Sequence, residues 1–331
     1  MNVLLLSGAG VTADELHARG QFDRVWADVT AYQAAFDHVQ WDTYAPGWKI
    51  PAMLMAASDV LRSRVFRPDV VRVMNFTGVL PALIVHARQG IPFVTQLGFD
   101  HAAVNRAHGH YGKALLYRVL MRLALPRAAA VIATNRPLAT LARRLGAKRV
   151  EVIPNGVDLA MFTPPDRLPG LRRVLYAGRQ STEKNLDRLR QAVDRVPGAA
   201  LRCVSNRPYA EMPEWYRGAD VFALVSLTEG SPKALWEAMS SGLPCLISDI
   251  IDLPNDDEHE SGVLRVDPAD VHEMSTILSG MLAAPGVAAE FGRRNRRYVE
   301  RYHDMTALLA KEIEVVRSVA LPTVAVERSR T

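Results

Sequence analysis

Two carboxylates eight positions apart, Glu229 and Glu237, and two cations, Arg179 and Lys184, are spaced for chemistry on a charged ligand. The acids lie in the run Ser226-Leu-Thr-Glu-Gly-Ser-Pro-Lys-Ala-Leu-Trp-Glu-Ala-Met-Ser-Ser-Gly-Leu-Pro244. A carboxylate accepts hydrogen bonds from hydroxyl groups. One acid in a turn and a second inside the following helix therefore suit a ligand with sugar rings at both ends of a diphosphate. The two cations would clamp negative charge that builds on a departing diphosphate. Each set also has a plainer reading: an exposed helix with one Lys–Glu pair, and two solvated surface cations.

The elements that must position these residues can be read locally. A strand ends near Val225 and a short turn follows. Ser231 is the expected helix N-cap, with Pro232 at the first helical position. Gly242 stops the helix and Pro244 lies just beyond it. The backbone N–H groups of such a helix start form an anion site. Within the helix, Lys233, Glu237 and Ser241 share one face, and Leu235, Ala238, Met239 and Gly242 share the opposite, buried face. In Leu175-Tyr-Ala-Gly-Arg-Gln-Ser-Thr-Glu-Lys-Asn-Leu a strand runs into Gly178, which permits close backbone approach. Arg179 and Lys184 follow on the loop before the next helix.

Together these segments resemble glycosyltransferase family 4, a large family of retaining GT-B enzymes. The resemblance rests on an E-x7-E motif, Glu229 to Glu237, with its trailing Glu237-Ala-Met-Ser-Ser-Gly-Leu-Pro244. It rests also on Val152-Ile-Pro-Asn-Gly-Val-Asp158 with Phe162, on Gly178-Arg179 with Glu183-Lys184-Asn185, and on Met212-Pro-Glu-Trp-Tyr-Arg-Gly-Ala-Asp-Val221. These matches span about 152 to 250, and elsewhere the likeness is one of architecture. The resemblance implies roles by position. Glu229 would contact hydroxyls of the donor sugar. The backbone of Gly230, Ser231, Pro232, Lys233 and Ala234 would hold sugar and phosphates. Glu237 would bind the ribose, Arg179 and Lys184 the leaving diphosphate, and the segment Val204-Ser205-Asn206-Arg207 the base.

The first half departs further from the family pattern. A Gly-rich turn is expected after the first strand, and Gly8 and Gly10 of Ser7-Gly-Ala-Gly10 are its candidates. The family often carries a His at the end of the strand that here reads Phe93-Val-Thr-Gln-Leu-Gly-Phe-Asp-His101, where Gln96 or Leu97 stands instead. Asp100 and His101 are the nearest candidates for meeting the donor sugar; the plainer reading is turn residues with no catalytic part. The second half also looks one strand–helix unit short between Cys203 and the helix containing Pro213.

The implied fold is α/β GT-B, two Rossmann-like doubly wound domains facing each other across a cleft, with ligands beyond the carboxyl ends of the strands. The implied activity is metal-independent, front-face retaining transfer of a hexosyl-type sugar to a glycan or lipid-linked acceptor, in cell-surface polysaccharide or glycolipid synthesis. The nucleotide-diphosphate sugar is then a substrate, and no cofactor is expected. Other readings stay open: a non-catalytic sugar-nucleotide-binding partner, a nucleotide-sugar epimerase, which would lack the E-x7-E pattern, or a glycan phosphorylase, which would carry pyridoxal phosphate.

The chain has 331 residues, enough for two domains, with 49% hydrophobic and 23% charged residues, as in a folded protein. Short apolar runs alternate with helical patterns, which argues for parallel sheets. Strands are expected at Val3–Ser7, Val70–Asn75, Pro92–Leu97, Ala129–Thr134 and Arg149–Ile153, then at Arg173–Ala177, Ala200–Ser205, Val221–Val225, Leu243–Ser248 and Val263–Val266. Helices are expected at Pro51–Phe66, Val79–Gln89, Tyr111–Leu125 and Pro137–Leu145. The expected division is a first domain over 1–157, a linker over 158–170, a nucleotide-sugar domain over 171–300, a helix over 301–320 returning to the first domain, and a frayed tail over 321–331.

The net charge of +5 and a pI near 9.3 suit nucleic acid, phosphorylated small molecules or an anionic membrane. The arginines are scattered with no aromatic interleaving, so nucleic acid is not an expected partner. Cys203 and Cys245, the only cysteines, read as buried thiols in a reducing compartment. No segment reaches the roughly 18 apolar residues of a membrane span, and a cytoplasmic location is expected. The acidic loop Asp252, Asp256, Asp257, Glu258, Glu260 reads as a cation site or a solvated loop, and His108 and His110 as surface residues. Tyr111–Pro126, apolar with Lys113, Arg118 and Arg122 interspersed, is either a peripheral contact for an anionic membrane or a half-buried helix of the first domain.

Overall fold

The computed structural model describes residues 1–8, 12–18, 20–43, 58, 62–63, 65–166, 169–253 and 260–320. Gly10, most of the expected helix Pro51–Phe66, and Asp256, Asp257 and Glu258 lie outside the described residues. The chain forms two compact units. The first gathers Met1–Ala18, Phe22–Ile153 and Ala310–Thr331; the second gathers Pro154–Leu309 with Arg19–Gln21.

The first unit holds a parallel sheet in the order β2-β1-β3-β4-β5-β6. These strands are Asn2–Leu6 (β1), His38–Asp42 (β2), Val70–Val73 (β3), Phe93–Leu97 (β4), Ala130–Ala133 (β5) and Val150–Val152 (β6). The central strands read as short, unbroken apolar runs because helices cover both faces. Val3–Leu6, Val70–Val73 and Ala130–Ala133 are buried throughout. β2 has no counterpart among the expected strands. It lies at the sheet edge, half-exposed along most of its length, and its polar residues interrupt any apolar run. Caps are set by local chemistry: Asn135 accepts from Leu138 N at 2.9 Å to start helix Arg136–Arg144, and Gly90 closes helix Val79–Gln89 at φ 71°.

The second unit holds a parallel sheet in the order β11-β10-β9-β7-β8. These strands are Arg173–Ala177 (β7), Ala200–Val204 (β8), Val221–Leu224 (β9), Cys245–Ser248 (β10) and Val263–Val266 (β11). β8 is one edge, and the chain runs from it to helix Met212–Arg217 through a single 3-10 turn, Tyr209–Glu211. Residues 158–166, 169 and 170 belong to this unit, where Phe162 is fully buried. Helices Val271–Ala283 and Pro285–Tyr302 meet at a 101° bend and bury Met274, Leu278, Tyr298 and Val299 in the same core. No single helix among the described residues is long and apolar enough to cross a membrane. Cys203 and Cys245 are free thiols.

Candidate functional site

The site is assembled in the second unit at the carboxyl ends of β7 and β9, where open parallel sheets place ligands. β7 is followed at once by Gly178, whose φ is +150°, and a Cβ there would stand 2.9 Å from the Tyr176 hydroxyl oxygen. That hydroxyl donates to Arg179 O at 2.6 Å and pins the start of the loop. Burial, then the nearby Glu229 carboxylate, raises the Tyr176 pKa, so the phenol stays a donor. Thr182–Lys184 forms one 3-10 turn, and Asn185 turns the chain into helix Leu186–Asp194 in the left-handed region, φ 58°. Its side-chain amide donates to Val225 O at 3.1 Å and to Pro268 O at 2.7 Å. Leu227 N donates to Glu183 O at 2.8 Å, so the loops after β7 and β9 are joined backbone to backbone.

The expected charges meet on these two loops. Lys184 Nζ lies 2.6 Å from Glu229 Oε1, and the Ser226 hydroxyl donates to the same oxygen at 2.8 Å. The side chains of Lys184 and Glu229 are only 15% and 10% exposed. Arg179 is different: its side chain is 82% exposed, and its nearest carboxylate oxygen, on Glu183, is 4.0 Å away. One cation is thus sequestered by an acid, and the other is presented to solvent.

Helix Lys233–Ser240 follows Glu229, and its start corrects the sequence reading. Pro232, not Ser231, is the N-cap, and it brings no side-chain cap. The Ser231 hydroxyl is engaged elsewhere: it accepts from Asn155 N and from Trp236 Nε1, each at 3.0 Å. Asn155 Nδ2 also donates to Ser231 O at 2.7 Å. The tip therefore has no serine plugging its backbone N–H groups. The two-faced helix is corrected too. Leu235 to Ser241 are all buried, including Glu237 at 5% exposure, while Lys233 is exposed. The Tyr216 hydroxyl donates to Glu237 Oε2 at 2.8 Å, which gives the acid a partner inside the protein. Val204 is buried, Ser205 is half-buried, and Asn206 is exposed at φ 52° on the loop leaving β8.

This geometry has relatives. A glycosyl transferase 4-like domain model matches residues 5–156, and a glycosyl transferases group 1 model matches residues 171–284. The chain belongs to the family 4 glycosyltransferases. It is 29% identical over 194 residues to a sulfoquinovosyl transferase of Arabidopsis thaliana, covering 47% of this chain and 38% of that one. It is 28% identical over 143 residues to a UDP-Gal:alpha-D-GlcNAc-diphosphoundecaprenol alpha-1,3-galactosyltransferase of Escherichia coli, covering 31% and 37%. Each match thus spans under two fifths of the curated relative's length. The solved Anabaena protein HepE, in complex with UDP-glucose, superposes with a TM-score of 0.74 at 17% identity over 96% of this chain and all of that one. The fold is GT-B.

Within this family member the first-unit candidates have structural occupations. Asp100 caps helix His101–Ala107, accepting from Ala103 N at 2.9 Å. His101 is 2% exposed and walled by Phe99, Phe76 and Tyr117, with ring centroids 3.9, 5.6 and 4.9 Å away. Its burial lowers the pKa to about 4, so the ring is neutral at pH 7. The ring is therefore packed within the first unit's apolar side chains. Gly8 is buried, and a Cβ there would stand 2.8 Å from Thr77 Oγ1. Gln96 accepts from the buried Arg72 at 2.9 Å. Sequence reasoning missed Ser226, Tyr216 and Asn155. Each reaches the site from a different element, and no spacing within one element signals that.

Proposed function

We propose that this chain is a retaining glycosyltransferase that takes a hexosyl-type sugar from a nucleotide diphosphate and passes it to a glycan or lipid-linked acceptor. The observation that carries this reading is the Lys184–Glu229 pair, 2.6 Å apart, beside a helix start without a side-chain cap. The exposed Arg179 on the same loop and the helix N–H groups offer positive charge to a departing diphosphate. Glu229 accepts sugar hydroxyls as it shares Lys184 with the incoming phosphates. Glu237, held by Tyr216, takes the ribose. The transition state resembles an oxocarbenium ion next to the leaving diphosphate, and the protein lowers the barrier by fixed positive charge and by positioning the acceptor.

The printed activity of the E. coli relative, from a UDP sugar to a diphosphoundecaprenol-linked acceptor, supports a lipid-linked acceptor class. The UDP-glucose seated in HepE supports a nucleotide-sugar donor. The pathway is read as cell-surface polysaccharide or glycolipid synthesis, with the catalytic surface in the cytoplasm. The reaction is read as metal-independent, because two cations and a helix start supply the charge a divalent ion would.

A thermal-shift screen with UDP, GDP and ADP sugars tests the donor site. One nucleotide sugar should stabilise the wild type, by about 2.7 kcal/mol at a hundredfold excess over Kd. That shift should vanish in Glu237→Ala and Arg179→Ala; equal shifts in all three proteins would remove the site assignment. Turnover should survive EDTA, and loss that added magnesium restores would overturn metal independence. The anomeric configuration of the product, read by NMR, should match that of the donor.

A further inference from the structure

Helix Tyr111–Ala124 in the first unit has two apolar sides. Ala114, Tyr117, Leu120, Met121 and Ala124 are buried in the unit's core. Tyr111, Leu115, Val119 and Leu123 are exposed by 71, 64, 46 and 45%. These four recur every fourth residue, so they form one continuous ridge along the side away from the core. Leucine and valine at such exposure, lined up over three turns, are not scattered surface apolar residues. By helical spacing Arg118 and Arg122 flank this ridge, and both are exposed. Along the chain on either side of the helix the charge has one sign. From His101 to Val150 the sequence has ten lysines and arginines and not one aspartate or glutamate.

We propose that this helix lies on an anionic lipid bilayer, with Tyr111, Leu115, Val119 and Leu123 in the interface and Arg118 and Arg122 against headgroup phosphates. Charge complementarity selects the occupant. An apolar ridge flanked only by cations matches a surface that is apolar beneath a negative layer. A nucleic acid would answer the charge and leave the ridge wet. The inference goes beyond the donor site and holds whether or not that reading does, since it uses none of its residues.

Flotation of the full chain with vesicles tests it, comparing phosphatidylcholine alone with phosphatidylcholine containing phosphatidylglycerol. The wild type should float with the anionic vesicles, less so in high salt, and stay unbound with neutral ones. Arg118→Gln with Arg122→Gln should weaken partition about 25-fold, from about fivefold for each charge. Leu115→Ser with Val119→Ser should weaken it by about tenfold or more while every charge is kept. Arg195→Gln with Lys311→Gln removes two exposed cations elsewhere and should bind as the wild type does. Because all these side chains are exposed, the variants should melt with the wild type, and the alanine pair at 115 and 119 repeats the test should the serines lower Tm. Equal loss in the 118/122 and 195/311 variants, wild-type binding by the apolar variant, or equal binding to neutral vesicles would overturn the proposal. So would a dimer seen by sedimentation velocity that dissociates in the 115/119 variant, since a second copy would then cover the ridge.

Discussion

Two cations five residues apart differ because one is enclosed. Lys184 is bonded to Glu229 in a mostly buried pair, whereas Arg179 stands in solvent. Removing Lys184 leaves Glu229 with one hydroxyl partner in a low-dielectric setting, so Lys184→Ala should cost about 2 kcal/mol or more in urea unfolding. Arg179→Ala should cost under about 1 kcal/mol and still abolish turnover, which separates charge used on the ligand from charge used on the fold. The two buried histidines predict the pH response. His101 and His303 have pKa values lowered to about 4 by burial. Unfolding lets them take protons near the ordinary value of 6.5, so the unfolded state binds more protons between about 6.5 and 4. Stability is therefore fully present above pH 6.5 and falls as the pH drops toward 4, by about 3 kcal/mol for each ring. His101 Nε2 is buried without a partner, so His101→Phe should flatten this decline. An unchanged slope between pH 7 and pH 5 in urea melts of that variant would exclude the assignment.

At the level of elements, helix Lys233–Ser240 is held by packing more than by its own propensity. It is short, its N-cap contributes no side chain, and helix Pro285–Tyr302 lies against it. The contact between them is set by Gly292, where a Cβ would sit 1.9 Å from Gly242 O. Arg296 adds hydrogen bonds to Ser240 O at 3.0 Å and Phe162 O at 2.7 Å, which tie the end of the site helix to the neighbouring segment. Gly292→Ala must push the two helices apart. The expected cost is about 1–3 kcal/mol, with a weakened nucleotide-sugar thermal shift although residue 292 touches no ligand group named above. Wild-type stability together with a wild-type shift would show that this close approach is dispensable. His303 contributes from the other side, stacking on Trp236 at 3.7 Å and donating from Nδ1 to Asn155 O at 3.0 Å. That bond fixes its tautomer, since the carbonyl can only accept. Trp236 and Asn155 both hold Ser231, so the ring supports the loop that leads into the helix.

At the level of the whole molecule, the last helix, Met305–Val319, starts in the second unit and from Ala310 is part of the first unit's fold. Ala310 onward clusters with that unit, and Glu312 is the reason the helix is specific. Its carboxylate takes Arg72 Nε at 3.0 Å and the Tyr32 hydroxyl at 2.6 Å. Arg72 is 1% exposed, so its charge depends on this partner. Burial alone would lower the Arg72 pKa, but Glu312 and Tyr32 offset that and raise it. Glu312→Ala should strand the guanidinium and cost about 3–5 kcal/mol. Calorimetry should show the loss, and Glu312→Gln, which keeps an acceptor, should recover part of it. Equal melting of wild type and Glu312→Ala would mean that water solvates Arg72 and that the pair contributes little.

How much of this was legible in the amino-acid order depends on how far apart the partners lie. The parallel strands of both sheets, the glycine at the end of β7 and the stretch from Glu229 to Glu237 could be read because period, turn chemistry and helix stops act over a few residues. Edge strand β2 could not, since its half-wet faces carry no run of apolar residues. The N-cap was misplaced by one residue, because the Ser231 hydroxyl is claimed by Asn155, 76 positions away. The exposure of Glu237, the enclosure of His101 and the pairing of Arg72 with Glu312 were likewise decided only by tertiary packing. Sequence spacing orders side chains around one helix or strand, whereas desolvation depends on which other elements come to rest against them.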